Sequence, residues 1–80
     1  MKRIAYANPA LRQLRRLDAK VRAQIEAKLV RYAATGAGDL KRMSGREGSR
    51  LRVGDWRVIF DENATTITVL AVGNRRDIYD

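Results

Sequence analysis

Residues 50–60 read Arg50-Leu51-Arg52-Val53-Gly54-Asp55-Trp56-Arg57-Val58-Ile59-Phe60, and this stretch decides the fold. It is two short runs rich in β-branched and aromatic residues around a Gly-Asp pair. Such a pair between two such runs is the signature of a tight β-hairpin. Side chains alternate faces along a strand. Arg50 and Arg52 therefore share one face, and Leu51 and Val53 share the other. In the second strand Arg57 opposes Trp56 and Val58. An arginine between apolar strand neighbours is costly unless it faces water or an anion. More arginines follow in Val72-Gly73-Asn74-Arg75-Arg76-Asp77-Ile78-Tyr79. Arginines converging from three segments indicate a phosphate-binding surface on a sheet.

Thr66 to Val72 reads as a further strand, reached through the turn Glu62-Asn63-Ala64-Thr65. Turns this short make the three strands antiparallel. Upstream, residues 36–48 are glycine-rich and basic, with Leu40 and Met43 as anchors onto the core. Val21, Ile25, Leu29 and Tyr32 form a helical apolar stripe, and Gly36 suits the C′ position. Leu11, Leu14 and Leu17 mark an earlier helix, for which Asn8 is the expected cap and Pro9 the first helical residue. Asp18 is the candidate second cap. Lys2 to Tyr6 has strand character. One strand, two helices and a meander spell an α+β domain over residues 1–80, with both helices on one face of the sheet.

The composition narrows the chemistry. The 80 residues include no cysteine and no histidine. That removes disulfides, thiolate metal sites, the usual zinc ligand and the usual general base. No cofactor or metal is expected. No stretch approaches a membrane span and no signal-peptide core follows Met1-Lys2-Arg3, which points to a cytosolic protein. The net charge of +8 calls for anionic partners such as nucleic acid, the ribosome or an acidic protein. A basic surface kept for solubility accounts for the helical lysines and arginines, but not for those in the strands.

The hairpin and the C-terminal segment together resemble the RelE/ParE superfamily of type II toxin–antitoxin toxins. The resemblance spans the chain, including its length. It implies the compact RelE-like fold with a concave sheet face left open. It also implies an endoribonuclease that cuts mRNA on the ribosome. Carried over residue by residue, Arg57 and Arg75 match arginines that stabilise the cleaved phosphate. Tyr79 matches an aromatic that stacks on or activates the substrate nucleotide. Arg50 takes the place of a basic residue in the preceding strand, and Arg52 and Arg76 are RNA-backbone contacts. Asn74 departs from the pattern, since histidine is common there, and Ser49 stands where an aromatic is frequent. The implied partners are ribosome, mRNA and a cognate antitoxin with an acidic or amphipathic helix; operator DNA is reached only through the antitoxin complex. The ending Arg-Arg-Asp-Ile-Tyr and the Gly-Asp-Trp-Arg hairpin favour the RelE branch. The alternative is a ParE-like toxin that inhibits DNA gyrase without cutting RNA. A third reading is an inactive module serving in a repressor complex.

Such chemistry suits the residues present. In RNA self-cleavage the 2′-hydroxyl attacks the adjacent phosphate, and an enzyme assists by orienting that attack and stabilising charge on the phosphate. Arginine offers a planar fork of donors but does not carry protons. Tyr79, with an ordinary pKa of about 10 that nearby positive charge lowers, is the candidate for proton transfer or stacking.

Overall fold

The computed structural model describes residues 1–42 and 48–78. The elements run β1 (Arg3–Tyr6), α1 (Asn8–Arg15), α2 (Ala19–Thr35), β2 (Leu40–Arg42), β3 (Ser49–Val53), β4 (Trp56–Glu62) and β5 (Thr66–Asn74). They build one five-stranded sheet in the order β1-β5-β4-β3-β2. β1 lies parallel to β5, and the remaining neighbours are antiparallel. The α+β class and the strand–helix–helix–meander order hold. β2 is an addition. It lies in the glycine-rich basic stretch to which no element was assigned, where three residues are too few to show a period.

The hairpin forms where expected. Gly54 has φ +58°, and no residue other than glycine has a positive φ among the described residues. A two-residue turn with glycine first and φ > 0 only there is type II′, which matches the twist of the flanking strands. Between β4 and β5, Asn63 Oδ1 accepts the backbone N–H groups of Thr65 and Thr66, both at 2.9 Å, and this closes the second turn.

The caps differ in part from expectation. α1 begins at Asn8 itself, with Ala7 at the N-cap and no side-chain cap bond. Asp18 is the N-cap of α2, also without a side-chain bond. Gly36 closes α2 in the left-handed conformation at φ +75°, its N–H bonded to the Tyr32 carbonyl.

Register decides which face carries what. Leu51 pairs with Val58, Val58 with Val72, and Phe60 with Val69. These residues point at the helices and are buried with Ile67, Leu14, Ile25, Leu29 and Ala33. Tyr32 rests its ring on Phe60, the centroids 5.4 Å apart. Trp56 packs on the edge of this core and stays half-buried. Met43 lies outside the described residues.

Candidate nucleic-acid interface

Among the described residues no helix covers the opposite face. Arg50 pairs with Ile59, Arg52 with Arg57, and Lys41 of β2 with Arg50. Strand alternation thus gathers four basic residues from three adjacent strands on one surface. Lys41 was missed by sequence reasoning because no strand was assigned to the glycine-rich stretch that holds β2. The facing strand, β5, offers Ala71 and Gly73 opposite Ile59 and Arg57. The space above Gly73 is taken by the Ile78 side chain, which a Cβ there would meet at 3.0 Å.

The four basic residues have different surroundings. Arg50 is 8% exposed and is the one buried charged residue among those described. It therefore does not present itself to solvent as the alternation alone implied. Arg52 is exposed and held by Asp39, with Nε and Nη2 at 2.6 and 2.5 Å from Oδ2. Arg57 is half-buried and donates Nη1 to the carbonyls of Gly54 at 2.8 Å and Trp56 at 2.9 Å. It pairs with neither Asp61 nor Asp77. Its Nε and Nη2 make no hydrogen bond among the described residues.

Arg75 follows β5 and reaches the same turn. Its backbone N–H donates to the Asp55 carbonyl at 2.8 Å, and its Nε lies 3.8 Å from Asp55 Oδ1. Arg57 is held to this turn by hydrogen bonds, and the exposed Arg75 side chain stands beside it at ion-pair distance from Asp55, so both arginines flank the turn with donors left over. Asp55 is both the turn residue expected and the acid beside Arg75.

Beyond β5 the chain reverses. Asn74 O accepts from the N–H groups of Asp77 and Ile78, and Asn74 Oδ1 accepts from Arg76 N–H at 3.2 Å. Arg76 is exposed on this reversal. Ile78 then folds back onto Gly73, where an added Cβ would stand only 3.0 Å from Ile78 Cδ1. Gly73 is the register partner of Arg57, so the described chain ends beside that arginine. Tyr79 lies outside the described residues. Asp77 forms no ion pair among the described residues. Nor does any cluster of three or more acidic side chains able to hold a metal occur among them.

Cavities among the described residues flank the sheet. One of about 540 Å³, lined by Met1, Lys2, Arg3, Ala33, Ala64 and Thr65, sits at the end remote from the hairpin turn. Another, of about 440 Å³, lies beside the arginine-bearing turn and includes Trp56 and Asn74. No helix among the described residues is long and apolar enough to cross a membrane.

The same architecture recurs in solved toxin structures. RelE in the RelB–RelE complex of Methanococcus jannaschii aligns with a TM-score of 0.76 at 23% identity, over 95% of both chains. A mutant of Escherichia coli RelE in the free state gives 0.77 at 21% identity, over 95% of this chain and 85% of that one. Staphylococcus aureus YoeB, solved as a dimer, gives 0.73 at 15% identity, over 88% and 92%. Among curated proteins none is a significant match. Residues 4–79 match the family model described as the ParE toxin of type II toxin–antitoxin system, parDE. With that match spanning nearly all of its length, the chain belongs to the ParE toxin family, within the RelE/ParE superfamily of type II toxin–antitoxin toxins.

Proposed function

We propose that this toxin is a metal-independent endoribonuclease that cleaves mRNA on the ribosome. The observation that carries the reading is the placement of Arg57 and Arg75 beside the Gly54-Asp55 turn, at the end of a basic face that no described helix covers. An RNA phosphate at this turn meets the remaining donors of both. Catalysis then consists of holding the 2′-hydroxyl in line with its phosphate while Arg57 and Arg75 stabilise the charge that develops. Buried Arg50 supports that charge from beneath the surface, while Arg52 and Arg76 hold the RNA backbone. Tyr79 stacks on the nucleotide or moves its proton; Tyr79→Phe retains activity only in the first case. Without histidine the site is a weak acid–base catalyst, which suits a substrate held in shape by the ribosome. A cognate antitoxin with a carboxylate-bearing amphipathic helix neutralises the toxin by covering the arginines or displacing the C-terminal segment.

The second reading, gyrase inhibition by a non-nuclease toxin, draws on the family description itself, which names ParE. Expression in cells separates the two. Mapped mRNA breaks within translated codons support the nuclease. Intact mRNA with gyrase-dependent DNA damage supports the alternative.

A further inference from the structure

We propose that Asp39 is an intramolecular competitor for Arg52: its carboxylate occupies the guanidinium edge that an RNA phosphate takes, and so limits the grip of the basic face on RNA. This rests on the reading of that face as an RNA-phosphate surface.

Register places Asp39 there. β2 and β3 run antiparallel, with Leu40 opposite Leu51 and Lys41 opposite Arg50, so Asp39, one residue before β2, stands opposite Arg52. The backbones meet at this point, where Arg52 N–H donates to the Asp39 carbonyl at 2.8 Å. Alternation then puts Asp39 on the face that carries Lys41 and Arg52. On its other side Arg52 is the partner of Arg57, and Arg57 is the partner of Gly73. One row across the sheet therefore reads Asp39, Arg52, Arg57, Gly73.

Within this row two arginines are neighbours. Directly opposite residues have Cβ atoms about 4.5–5.5 Å apart, and like charges there repel. Each guanidinium has its own acceptor instead. Arg57 gives Nη1 to the carbonyls of Gly54 and Trp56. Arg52 turns to Asp39, with Nε at 2.6 Å and Nη2 at 2.5 Å from the same carboxylate oxygen, Oδ2.

The Nε–Nη2 edge is one through which arginine grips a carboxylate or a phosphate with two parallel donors. Asp39 fills it. Carboxylate and phosphate oxygens are acceptors of the same kind, so the two compete. The backbone bond to Arg52 keeps Asp39 within reach, and an arriving phosphate has to displace it. Both side chains are exposed, at 59% and 55%, so the exchange is reversible and its cost is small. Arg57 differs, since its Nε and Nη2 are left over among the described residues. A phosphate meets Arg57 directly and Arg52 only by exchange with Asp39.

The test is fluorescence anisotropy of the full chain with a mixed-sequence 2′-O-methyl oligoribonucleotide, which cannot be cleaved by 2′-hydroxyl attack, over a series of salt concentrations. Wild type, Asp39→Asn, Arg52→Ala and the double variant form a cycle. Asp39→Asn keeps the backbone carbonyl that Arg52 N–H needs and nearly the same side-chain volume. It should tighten binding about two- to fivefold, the range of an exposed ion pair. It should also steepen the salt slope by about 0.7, one more phosphate contact on a single strand. Asp39→Ser, equally uncharged, should do the same, while Asp39→Glu should bind like the wild type. In the Arg52→Ala background the loss of the Asp39 charge should tighten binding less than about 1.5-fold, because salt screens a charge with no close partner. Uncharged Asp39 variants that bind no tighter than wild type would overturn the proposal. So would equal tightening with and without Arg52, which would make the effect one of net charge alone. If the cycle holds but mRNA stays uncut, the competition stands and the nuclease reading falls; cleavage without the cycle does the reverse.

Discussion

Replacing Arg57 by alanine separates a structural role from a chemical one. The substitution removes the Nη1 donor that meets Gly54 O at 2.8 Å and Trp56 O at 2.9 Å. The Gly54 bond is exposed, so water takes over much of what is lost, and the net destabilisation is about 1 kcal/mol. In an 80-residue domain that lowers Tm by about 4–8 °C. Losing one preorganised donor to a developing phosphate charge costs about 10²–10³ in rate, or about 2.7–4 kcal/mol of barrier. The chemical effect exceeds the structural one, so a single-turnover cleavage assay held well below Tm resolves it. Thermal denaturation on the same preparation gives the structural part. Arg57→Lys sharpens the comparison. It keeps the charge and one donor for the turn but not the planar fork. Its Tm should lie close to that of the wild type, while its cleavage rate stays at least about tenfold down. A folded Arg57→Ala protein that cleaves at the wild-type rate would refute the reasoning and leave Arg57 as a turn brace.

Three further outcomes follow from the geometry. Arg75→Ala should leave stability within about 1 kcal/mol, because its 3.8 Å contact with Asp55 is between exposed groups, yet slow cleavage by about 10²-fold; matched Tm and rate measurements check both. Gly73→Val should push Ile78 off the sheet, since even a Cβ meets it at 3.0 Å, and limited proteolysis of the C-terminus should quicken while the hairpin core persists. Tyr6 has its pKa raised above the usual 10.0, chiefly by burial and then by the Glu26 charge. The folded state thus holds the phenolic proton more tightly than the unfolded chain. Stability is complete below pH 10 and falls as pH rises through that value, a loss that Tyr6→Phe should reduce in alkaline denaturation.

Much of this was legible before any coordinates. The Gly54-Asp55 hairpin, the helical stripe of Ile25 and Leu29 and the Gly36 terminator are local codes written in adjacent residues. The face shared by Arg50, Arg52 and Arg57 follows from a period of two once the strands are placed. What escaped depends on contacts between distant segments. β2 exists because Leu40 and Lys41 meet Leu51 and Arg50, not because three residues have a strand pattern. Arg50 is buried by its neighbours in space, which alternation cannot count. Arg57 turns back to Gly54, and Gln13 reaches Val72 across 59 residues. Asn8 failed as a cap because the helix starts one residue sooner than its side-chain chemistry suggests. The site was readable as a list of arginines. Their meeting at one turn was not.

The most direct test of the central claim is end-group analysis of mRNA incubated on programmed ribosomes with the purified protein. Attack by a 2′-hydroxyl leaves a 2′,3′-cyclic phosphate on one fragment and a 5′-hydroxyl on the other. The account predicts those ends on ribosome-bound mRNA, with product formation lost when Arg57 and Arg75 are both alanine in a folded protein. Intact mRNA, or fragments that carry 5′-phosphates, would contradict it.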